Sequence, residues 1–264
     1  MLHISIIRVK IRIVDLIQIG GKPNMRVTVF NGSPRGRKSN THLIAKSLLK
    51  GAKQVGAQTE EVFLIEKDIQ YCQGCFTCWG KSPGKCVIND NMADLIALFL
   101  ESDFVGLATP VYGMYMSALL KNFTDRLLPL SMPHINKNEE GDFYHDLRTE
   151  RFPRQFFIAN SGFPGEHNFD LLKAIMGNQN LVLEIYRNCG EVLTLQDEEK
   201  NSELSKKIGE FNDAVRKAGR EMVTNGQVSK ETVEQIHLEL ISDEEYMAGA
   251  NQEWDEEINR SKKE

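Results

Sequence analysis

The length of 264 residues, with 41% hydrophobic and 26% charged residues, is typical of a soluble globular protein with one or two domains. The formal net charge of −5 argues against the basic proteins that bind nucleic acid or anionic membrane surfaces. No apolar run approaches the ~20 residues of a membrane-spanning helix. We therefore expect a cytoplasmic protein with no membrane and no nucleic acid as partner.

The first 24 residues are interpreted as an N-terminal extension. A short strand is predicted at residues 8–14, where basic and β-branched residues alternate. The charges in this region and the lack of a small-residue cleavage site argue against a secretory signal peptide. Met25 begins the first strongly apolar strand pattern, so residues 1–24 are either a native extension or the product of an upstream start codon assigned in error.

Apolar β-rich runs alternate with helical patterns from residue 25 to about residue 189, which predicts a parallel sheet with helices on both faces. The predicted strands are Met25–Phe30, Thr59–Ile65, Asp103–Thr109, Gln155–Asn160 and Leu181–Tyr186. The predicted helices are Thr41–Val55, Asn91–Leu100, Ser117–Leu128 and Glu198–Val223. Right-handed crossovers give the strand order 2-1-3-4-5, so the predicted fold class is α/β, a flavodoxin-like doubly wound five-stranded parallel sheet.

The chain divides after this α/β domain, which spans residues 25–228. Residues 229–264 form an acidic C-terminal segment, because residues 230–264 carry 11 acidic and 4 basic side chains. Tyr246, Met247 and Trp254 recur there at roughly helical spacing, so we expect a helix that packs on the domain or on a partner subunit. Within the domain, residues 130–154 are too long and polar for a simple connection, which is typical of a lid, an interface element or a disordered segment.

The first predicted strand runs directly into a polar loop, Asn31–Thr41, and then into a helix. A glycine, hydroxyl groups and a helix N-terminus together favour a bound terminal phosphate, and basic side chains add charge. The predicted contacts are Ser33, Arg35, Lys38, Ser39, Asn40 and Thr41. The loop matches neither the Walker A pattern nor the Gly-x-Gly-x-x-Gly pattern. The structural alternative is a polar turn with a helix cap.

Two more loops follow predicted strands three and four, Thr109–Ser117 and Asn160–Gly165. Ligands of such sheets bind at the carboxyl ends of the strands, beside the point where the strand order reverses. Aromatic side chains and exposed backbone in these loops suit a flat ring system. The candidate contacts are Pro110, Val111, Tyr112, Gly113, Met114, Ser161, Gly162 and Phe163. The alternative is that Tyr112 and Phe163 merely cap the core.

Four of the five cysteines fall within fifteen residues, at positions 72, 75, 78 and 86. This spacing favours a metal or redox role over a disulfide framework. Three thiolates spaced in this way can hold three corners of a cubane cluster, and a turn at Pro83–Gly84 would bring the fourth. Zinc is disfavoured, because structural zinc commonly uses two separated pairs. A loop of reduced thiols is the alternative, and the fifth cysteine, Cys189, is predicted to be a buried core thiol.

Together these motifs resemble the NAD(P)H-dependent FMN reductase and iron–sulfur flavoprotein group of the flavodoxin-like superfamily, over roughly Met25–Arg187. The matching segments are Gly32–Arg35, Ser39–Thr41, the cysteine loop, Asp90–Met92, Thr109–Tyr112 and Met116–Ala118, with Asn91 where many members have Asp. The resemblance implies FMN, with its phosphate on residues 33–41, its ring and ribityl chain on 110–114, and further contacts from 161–163. It also implies a [4Fe–4S] cluster on Cys72, Cys75, Cys78 and Cys86.

The resulting hypothesis is an FMN-dependent oxidoreductase in residues 25–228. It would pass electrons from NAD(P)H, or from a ferredoxin or cluster, to an acceptor such as a quinone, free flavin or oxygen. The resemblance further implies a homo-oligomer, a dimer or tetramer, with the flavin near a subunit boundary. One alternative is an FMN/[4Fe–4S] electron carrier without a small-molecule substrate, and another is a scaffold that has lost its flavin. No catalytic acid–base residue is assigned, because the cofactor carries the chemistry.

Overall fold

The computed structural model describes residues 24–139, 141–177, 181–197 and 202–262. The strand predicted at residues 8–14 and the first residues of the last predicted helix lie outside these ranges. The strands are β1 Arg26–Asn31, β2 Gln58–Phe63, β3 Phe104–Tyr112, β4 Tyr115–Met116, β5 Ser131–Lys137, β6 Phe143–Leu147, β7 Arg154–Asn160 and β8 Leu183–Arg187. The helices are α1 Asn40–Gln54, α2 Met92–Glu101, α3 Ala118–Asp125, α4 Asp170–Met176, α5 Glu203–Asn225, α6 Lys230–Ile236 and α7 Asp243–Ser261.

The main sheet has the order β2-β1-β3-β7-β8 with every neighbouring pair parallel, which confirms the predicted order of the five strands. β3 extends beyond its predicted end at Thr109, because Val111 and Tyr112 pair with β4 in a short antiparallel hairpin. β2 ends two residues before its predicted end, and Leu64–Glu66 form a short 3-10 helix instead. The strand order reverses between β1 and β3, where ligands of such sheets bind.

Successive residues of the central strands pack on opposite faces of the sheet, so both faces are covered. Val29, Phe104 and Ile158 contact the layer that contains α1 and α5. Phe30 and Phe157 contact the other layer, which contains α2, α3 and α4. The sheet is therefore buried on both sides, and its carboxyl edge is the place left for a ligand.

α1 and α5 pack with their backbones in direct contact. A Cβ atom added at Gly51 would lie 1.9 Å from Arg216 O, and one added at Gly219 would lie 2.1 Å from Leu48 O. Only glycine fits at these two positions, because any side chain would collide with the backbone of the facing helix. This close contact holds the long helix α5 against α1, whose first residues end the polar loop Asn31–Thr41.

The polar stretch at residues 130–154 forms the two-stranded hairpin β5–β6. Its apolar side chains Ile135 and Phe143 are exposed. Apolar–polar alternation identifies strands that bury one face, so the sequence did not predict strands whose apolar side chains stay exposed. The hairpin packs on the cysteine loop, with the rings of Trp79 and His145 centred 5.0 Å apart.

The acidic C-terminal segment contains α6 and α7. Tyr246 is buried against the same layer as α1 and α5, whereas Met247 and Trp254 are exposed. The segment therefore returns to the α/β domain through Tyr246. Across the described ranges, no helix combines the length and the apolar composition needed to cross a membrane.

Candidate functional site

A cavity of about 200 Å³ opens at the carboxyl edge of the sheet, between the loops that follow β1, β3 and β7. Most of the residues that line it were predicted as cofactor contacts, namely Ser33, Arg35, Ser39, Asn40, Thr41, Pro110, Val111, Tyr112, Gly162 and Phe163. Asn160 and Glu191 also line it and were not predicted. The three loops that the sequence indicated separately thus line one cavity.

The loop after β1 is held by bonds that its sequence makes possible. Asn31 Oδ1 accepts a hydrogen bond from the Ser33 amide at 2.8 Å, which turns the chain at the end of the strand. The Gly32 amide donates to Ala108 O at 2.8 Å, and Gly32 O accepts from Ser117 Oγ at 2.6 Å. A Cβ at Gly32 would lie 2.6 Å from Leu120 Cβ, so only glycine permits this approach to α3.

Two of the predicted hydroxyl donors are already used to build the loop. Ser39 is the N-cap of α1: its Oγ donates to Gly36 O at 2.7 Å and accepts from the His42 amide at 3.1 Å. Thr41 Oγ1 donates to Asn160 Oδ1 at 2.6 Å and so joins α1 to the end of β7. These two side chains therefore shape the cavity, and their hydroxyl protons point to protein acceptors.

The donors that remain free are concentrated at the start of α1. Within the described chain, the backbone amides of Asn40 and Thr41 form no hydrogen bond, as expected for the first residues of a helix. Ser33 Oγ accepts from the Arg35 amide at 3.3 Å, which leaves its hydroxyl proton free to donate. Amides, a hydroxyl and a guanidinium beside a helix N-terminus favour an anion.

Arg35 and Glu191 form an ion pair at the edge of this cavity. Arg35 Nη1 lies 2.9 Å from Glu191 Oε1 and Nη2 lies 3.5 Å from Glu191 Oε2, so the guanidinium and the carboxylate meet in a two-pronged contact. Burial opposes ionisation of Glu191, but hydrogen bonds from Arg35 and Asn40 hold the pKa of its carboxyl below the usual value. Asn40 Oδ1 is buried and has no hydrogen-bond partner among the described residues.

The mouth of the cavity is formed by exposed apolar and aromatic side chains. Gly113 and Met114 both have positive φ, 54° and 66°, and close the tight β3–β4 turn in the manner of a type I′ hairpin. The turn holds Tyr112 at 48% exposure, and across the opening Phe163 is 72% exposed. Both rings remain accessible, because neither is buried in the core as the structural alternative expected.

Four of the predicted contacts do not line the cavity: Lys38, Gly113, Met114 and Ser161. Lys38 contributes its backbone oxygen, 3.4 Å from Arg35 Nη2. Gly113 and Met114 form the hairpin tip just outside the lining. Ser161 is buried and accepts from the Phe163 amide at 3.0 Å, so it shapes the loop that carries Phe163.

The cysteine loop brings its four thiols to a second, smaller cavity. Cys72, Cys75, Cys78 and Cys86 all line it. The Gly84 amide donates to Cys78 O at 2.9 Å, so the Pro83–Gly84 turn folds back and carries Cys86 towards the other thiols. Cys72 and Cys75 are exposed, whereas Cys78 is buried. Burial and the nearby Cys86 raise the pKa of the Cys78 thiol.

A buried ion pair underlies the cysteine loop. Arg126 is 2% exposed, and its guanidinium binds Asp90 through contacts of 2.6 Å and 3.0 Å. Arg126 also donates to Gln70 O and, at 3.5 Å, to Cys86 Sγ. Burial opposes ionisation of Asp90, but hydrogen bonds from Arg126 and from the amides of Gln70 and Met92 hold the pKa of its carboxyl below the usual value. This pair ties together the beginning and the end of the cysteine loop.

The donor types around the second cavity are those that iron–sulfur clusters use, four thiols with one guanidinium beside them. In the described part of the chain, however, no three His, Cys, Asp or Glu side chains are placed so as to hold a metal ion. The chemistry of the donors thus fits a cluster, while their spacing does not form a complete ligand set. Cys189 is 3% exposed, which confirms the prediction of a buried thiol.

The sequence patterns did not indicate several residues of the two cavities. Asn160 is the last residue of β7 and lies at the predicted ligand edge, so its position was a usable signal. Glu191 lies in the short 3-10 helix Gly190–Asp197 after β8, and the loop after the fifth strand shares that edge. Arg126 carries no signal, because nothing near it in sequence distinguishes it from a surface arginine.

Comparison with known proteins matches residues 25–139 to the family model described as NADPH-dependent FMN reductase. An iron–sulfur flavoprotein of Archaeoglobus fulgidus is 41% identical over 117 residues, which cover 44% of this chain and 52% of that protein. An iron–sulfur flavoprotein of Methanocaldococcus jannaschii is 35% identical over 117 residues, 44% of this chain and 59% of that protein. The chain thus spans little more than half the length of these two relatives.

Among solved structures, an FMN-dependent NADH-azoreductase from Bacillus anthracis, in complex with FMN, aligns with a TM-score of 0.53 at 15% identity. The alignment covers 75% of this chain and 99% of that chain. The shared fold is flavodoxin-like, which confirms the predicted fold class. The matched sequence region contains the first two cavity loops and the whole cysteine loop, but not Asn160 or Glu191.

Proposed function

Because residues 25–139 match the family model described as NADPH-dependent FMN reductase, we propose that this protein is an FMN-dependent oxidoreductase. The observation that carries the proposal is the convergence of three β–α loops on one cavity at the switch point of the sheet. The cavity combines an anion site at the N-terminus of α1 with aromatic side chains at its mouth. FMN fits this arrangement, because it consists of a phosphate joined to a flat ring by a polar chain.

The residues of the cavity have distinct roles in holding FMN. The amides of Asn40 and Thr41, the Ser33 hydroxyl and the Arg35 guanidinium would bind the phosphate. The unpartnered Asn40 Oδ1 is a buried acceptor, which suits a ribityl hydroxyl because a hydroxyl can donate to it. Tyr112 and Phe163 would flank the ring. When bound, FMN supplies the hydride and electron chemistry, and the protein supplies position and electrostatics.

The proposed electron donor is NADH or NADPH, and the proposed acceptor is a quinone, free flavin or oxygen. The open mouth beside Tyr112 and Phe163 leaves an approach to the ring for a second planar molecule. Among the residues that line the cavity, Arg35 and Glu191 have side chains that are charged at neutral pH, and both lie beside the proposed position of the phosphate. No side chain is therefore assigned as proton donor to the substrate.

The proposed location is the cytoplasm. Free cysteines at all five positions are consistent with a reducing compartment of this kind.

An anaerobic stopped-flow experiment tests the oxidoreductase. The protein is first loaded with FMN, and the flavin absorbance is followed after mixing with NADH or with NADPH. We expect one of the two nucleotides to bleach the flavin and a quinone to restore it. Bleaching by dithionite but by neither nucleotide would contradict the proposal and favour an electron carrier. Failure to bind FMN at all would favour the scaffold alternative.

A second candidate function, electron transfer through a [4Fe–4S] cluster and FMN, is favoured by the convergence of four thiols on one cavity. The cluster would be held by Cys72, Cys75, Cys78 and Cys86 and would exchange single electrons with the flavin or with a redox protein such as ferredoxin. Anaerobic reconstitution followed by iron analysis tests it. We expect about four irons per chain for a cubane cluster.

Cys86→Ala should lose this iron and keep FMN, because the flavin residues lie on different loops. Cys189→Ala is the matched control, since Cys189 is a buried cysteine away from the second cavity, and it should keep both. Reconstituted protein that holds no iron, or iron that persists in Cys86→Ala, would overturn the assignment of this cysteine and leave a loop of reduced thiols.

The proposal includes a homo-oligomer, a dimer or a dimer of dimers, with the flavin near a subunit boundary. Exposed apolar side chains on two projecting elements support it: Ile135 and Phe143 on the β5–β6 hairpin, and Met247, Trp254 and Ile258 on α7. Light scattering should give a multiple of the 30.0 kDa chain mass. A monomer at micromolar concentration would contradict the oligomer without affecting the flavin site.

A further inference from the structure

The anion site contains a carboxylate, which is unexpected at a place suited to a phosphate. Glu191 lines the cavity together with Ser33, Arg35 and Asn40. Its negative charge opposes any anion that approaches the start of α1. Glu191 lies outside residues 25–139, so the family match gives it no role. Its position has to be explained from its contacts in this chain.

Those contacts are with the phosphate loop itself. Both carboxylate oxygens of Glu191 face the Arg35 guanidinium, at 2.9 Å and 3.5 Å. The Asn40 side chain adds a second favourable interaction, since it helps to hold the pKa of the Glu191 carboxyl below the usual value. In the absence of another anion, Glu191 therefore occupies the guanidinium face that a phosphate would use.

The pair is built so that it can open. The side chains of Arg35 and Glu191 are 44% and 50% exposed, and ion pairs with that exposure are weak and readily exchanged. The other hydrogen bond of the Arg35 guanidinium is a long one, 3.4 Å to Lys38 O. A phosphate bound at the start of α1 carries more charge than a carboxylate and meets additional amide donors. It would therefore displace Glu191 from Arg35.

We infer that Glu191 is a specificity residue of the phosphate site, which pairs with Arg35 in the empty cavity and is exchanged for the phosphate of FMN. The inference rests on the proposed function. The consequence is that the site selects FMN over smaller anions. Every anion has to displace the carboxylate from Arg35, so a small anion such as inorganic phosphate binds with little net free energy. FMN has ring and ribityl contacts in addition and still binds. Glu191 thus lowers the affinity of the site for phosphate alone and leaves the riboflavin part unaffected.

The test compares the dissociation constants of FMN and riboflavin, by fluorescence titration, in the wild type, Glu191→Gln, Arg35→Gln and the double variant. Glu191→Gln should bind FMN about two- to fivefold more tightly, the range set by exposed ion pairs. Its affinity for riboflavin should stay at the wild-type value. Inorganic phosphate should compete with FMN at lower concentration in this variant than in the wild type.

Arg35→Gln should weaken FMN binding and leave riboflavin binding unchanged. In that background Glu191→Gln should tighten FMN binding less than it does alone, because no guanidinium remains to be released. Glu66→Gln is the matched control: Glu66 pairs with Arg37 of the same loop at 3.4 Å, and neither residue lines the cavity. We expect it to leave the affinity for FMN unchanged.

Two outcomes would overturn the inference: FMN affinity that is unchanged or weaker in Glu191→Gln, or equal tightening in Glu66→Gln, which would indicate a general charge effect. Under either outcome, the proposed function would still stand as long as the wild-type protein binds FMN. A wild-type protein that binds neither FMN nor riboflavin would instead remove the proposed function, and this inference with it.

Discussion

Tyr246 Oη donates a hydrogen bond to Gly162 O at 2.7 Å and so fastens the C-terminal segment to the loop after β7. The bond joins residues 84 positions apart in sequence. Burial raises the pKa of Tyr246 to about 12, so its phenol is a proton donor at neutral pH. Asp243 adds a second bond to this loop by accepting from the Gly165 amide at 3.3 Å. The acidic segment therefore belongs to the scaffold of the cavity that Gly162 and Phe163 line.

Removal of this phenol should loosen the loop that carries Phe163. Tyr246→Phe keeps the ring and loses one hydrogen bond, which contributes about 0.5–1.5 kcal/mol. We expect the binding of FMN and of riboflavin to weaken by a similar factor, because we propose that this loop flanks the ring, which both flavins carry. Equilibrium titration with both flavins measures this, and Tyr144→Phe on β6 is the control for loss of a phenol away from the cavity. FMN binding that weakens alone would place the loop against the phosphate.

The two serines of the phosphate loop should respond differently to substitution. Ser33 keeps a free hydroxyl proton, so Ser33→Ala should weaken the binding of FMN by about 1.5–3 kcal/mol, the range for a hydrogen bond to a charged group, and leave the binding of riboflavin unaffected. Ser39 caps α1, so Ser39→Ala should lower the stability of the fold by about 1 kcal/mol. Flavin titrations and urea unfolding of both variants separate these roles. A selective loss of FMN in Ser39→Ala alone would reverse them.

Arg126 should be required for stability because its removal leaves a buried charge. Arg126→Leu isolates the Asp90 carboxylate, and loss of one partner of a buried ion pair costs about 3–5 kcal/mol. Urea unfolding measures the change. Arg151→Leu, which breaks the more exposed pair with Asp103, is the matched control and should cost about 1 kcal/mol at most. An equal, small effect of both substitutions would mean that Asp90 finds other partners when Arg126 is absent.

The cysteines should differ in their reactivity in protein that carries no iron. Hydrogen bonds from the side chain and the amide of Thr77 hold the pKa of the exposed Cys75 thiol below its usual value. Burial raises the pKa of Cys189 to about 11, so its reactive thiolate is scarce at neutral pH and becomes common only as the pH approaches that value. Iodoacetamide at neutral pH, with peptide mass spectrometry, should label Cys75 first and Cys189 last. Early labelling of Cys189 would contradict its burial.

The strand order, the three loops of the cavity and the four clustered cysteines could be predicted from the sequence. Each of these depends on short-range information. Strand and helix periodicity, turn residues and cysteine spacing are local, and the right-handedness of the crossovers converts the chain order into a sheet order. The carboxyl ends of parallel strands lie at the same edge of a sheet, so the loops that follow these strands can be placed together without knowledge of their side-chain contacts.

The pairings Arg35–Glu191, Arg126–Asp90 and Tyr246–Gly162 were decided by the tertiary structure alone. The same holds for the use of Ser39 and Thr41 as structural hydroxyls, since a hydroxyl in a loop has no visible preference between a helix cap, a neighbouring strand and a ligand. Side chains separated by many residues meet only after the helices have packed. Which of several equivalent donors and acceptors then pair depends on distances of a few tenths of an ångström, and no local pattern in the sequence encodes these.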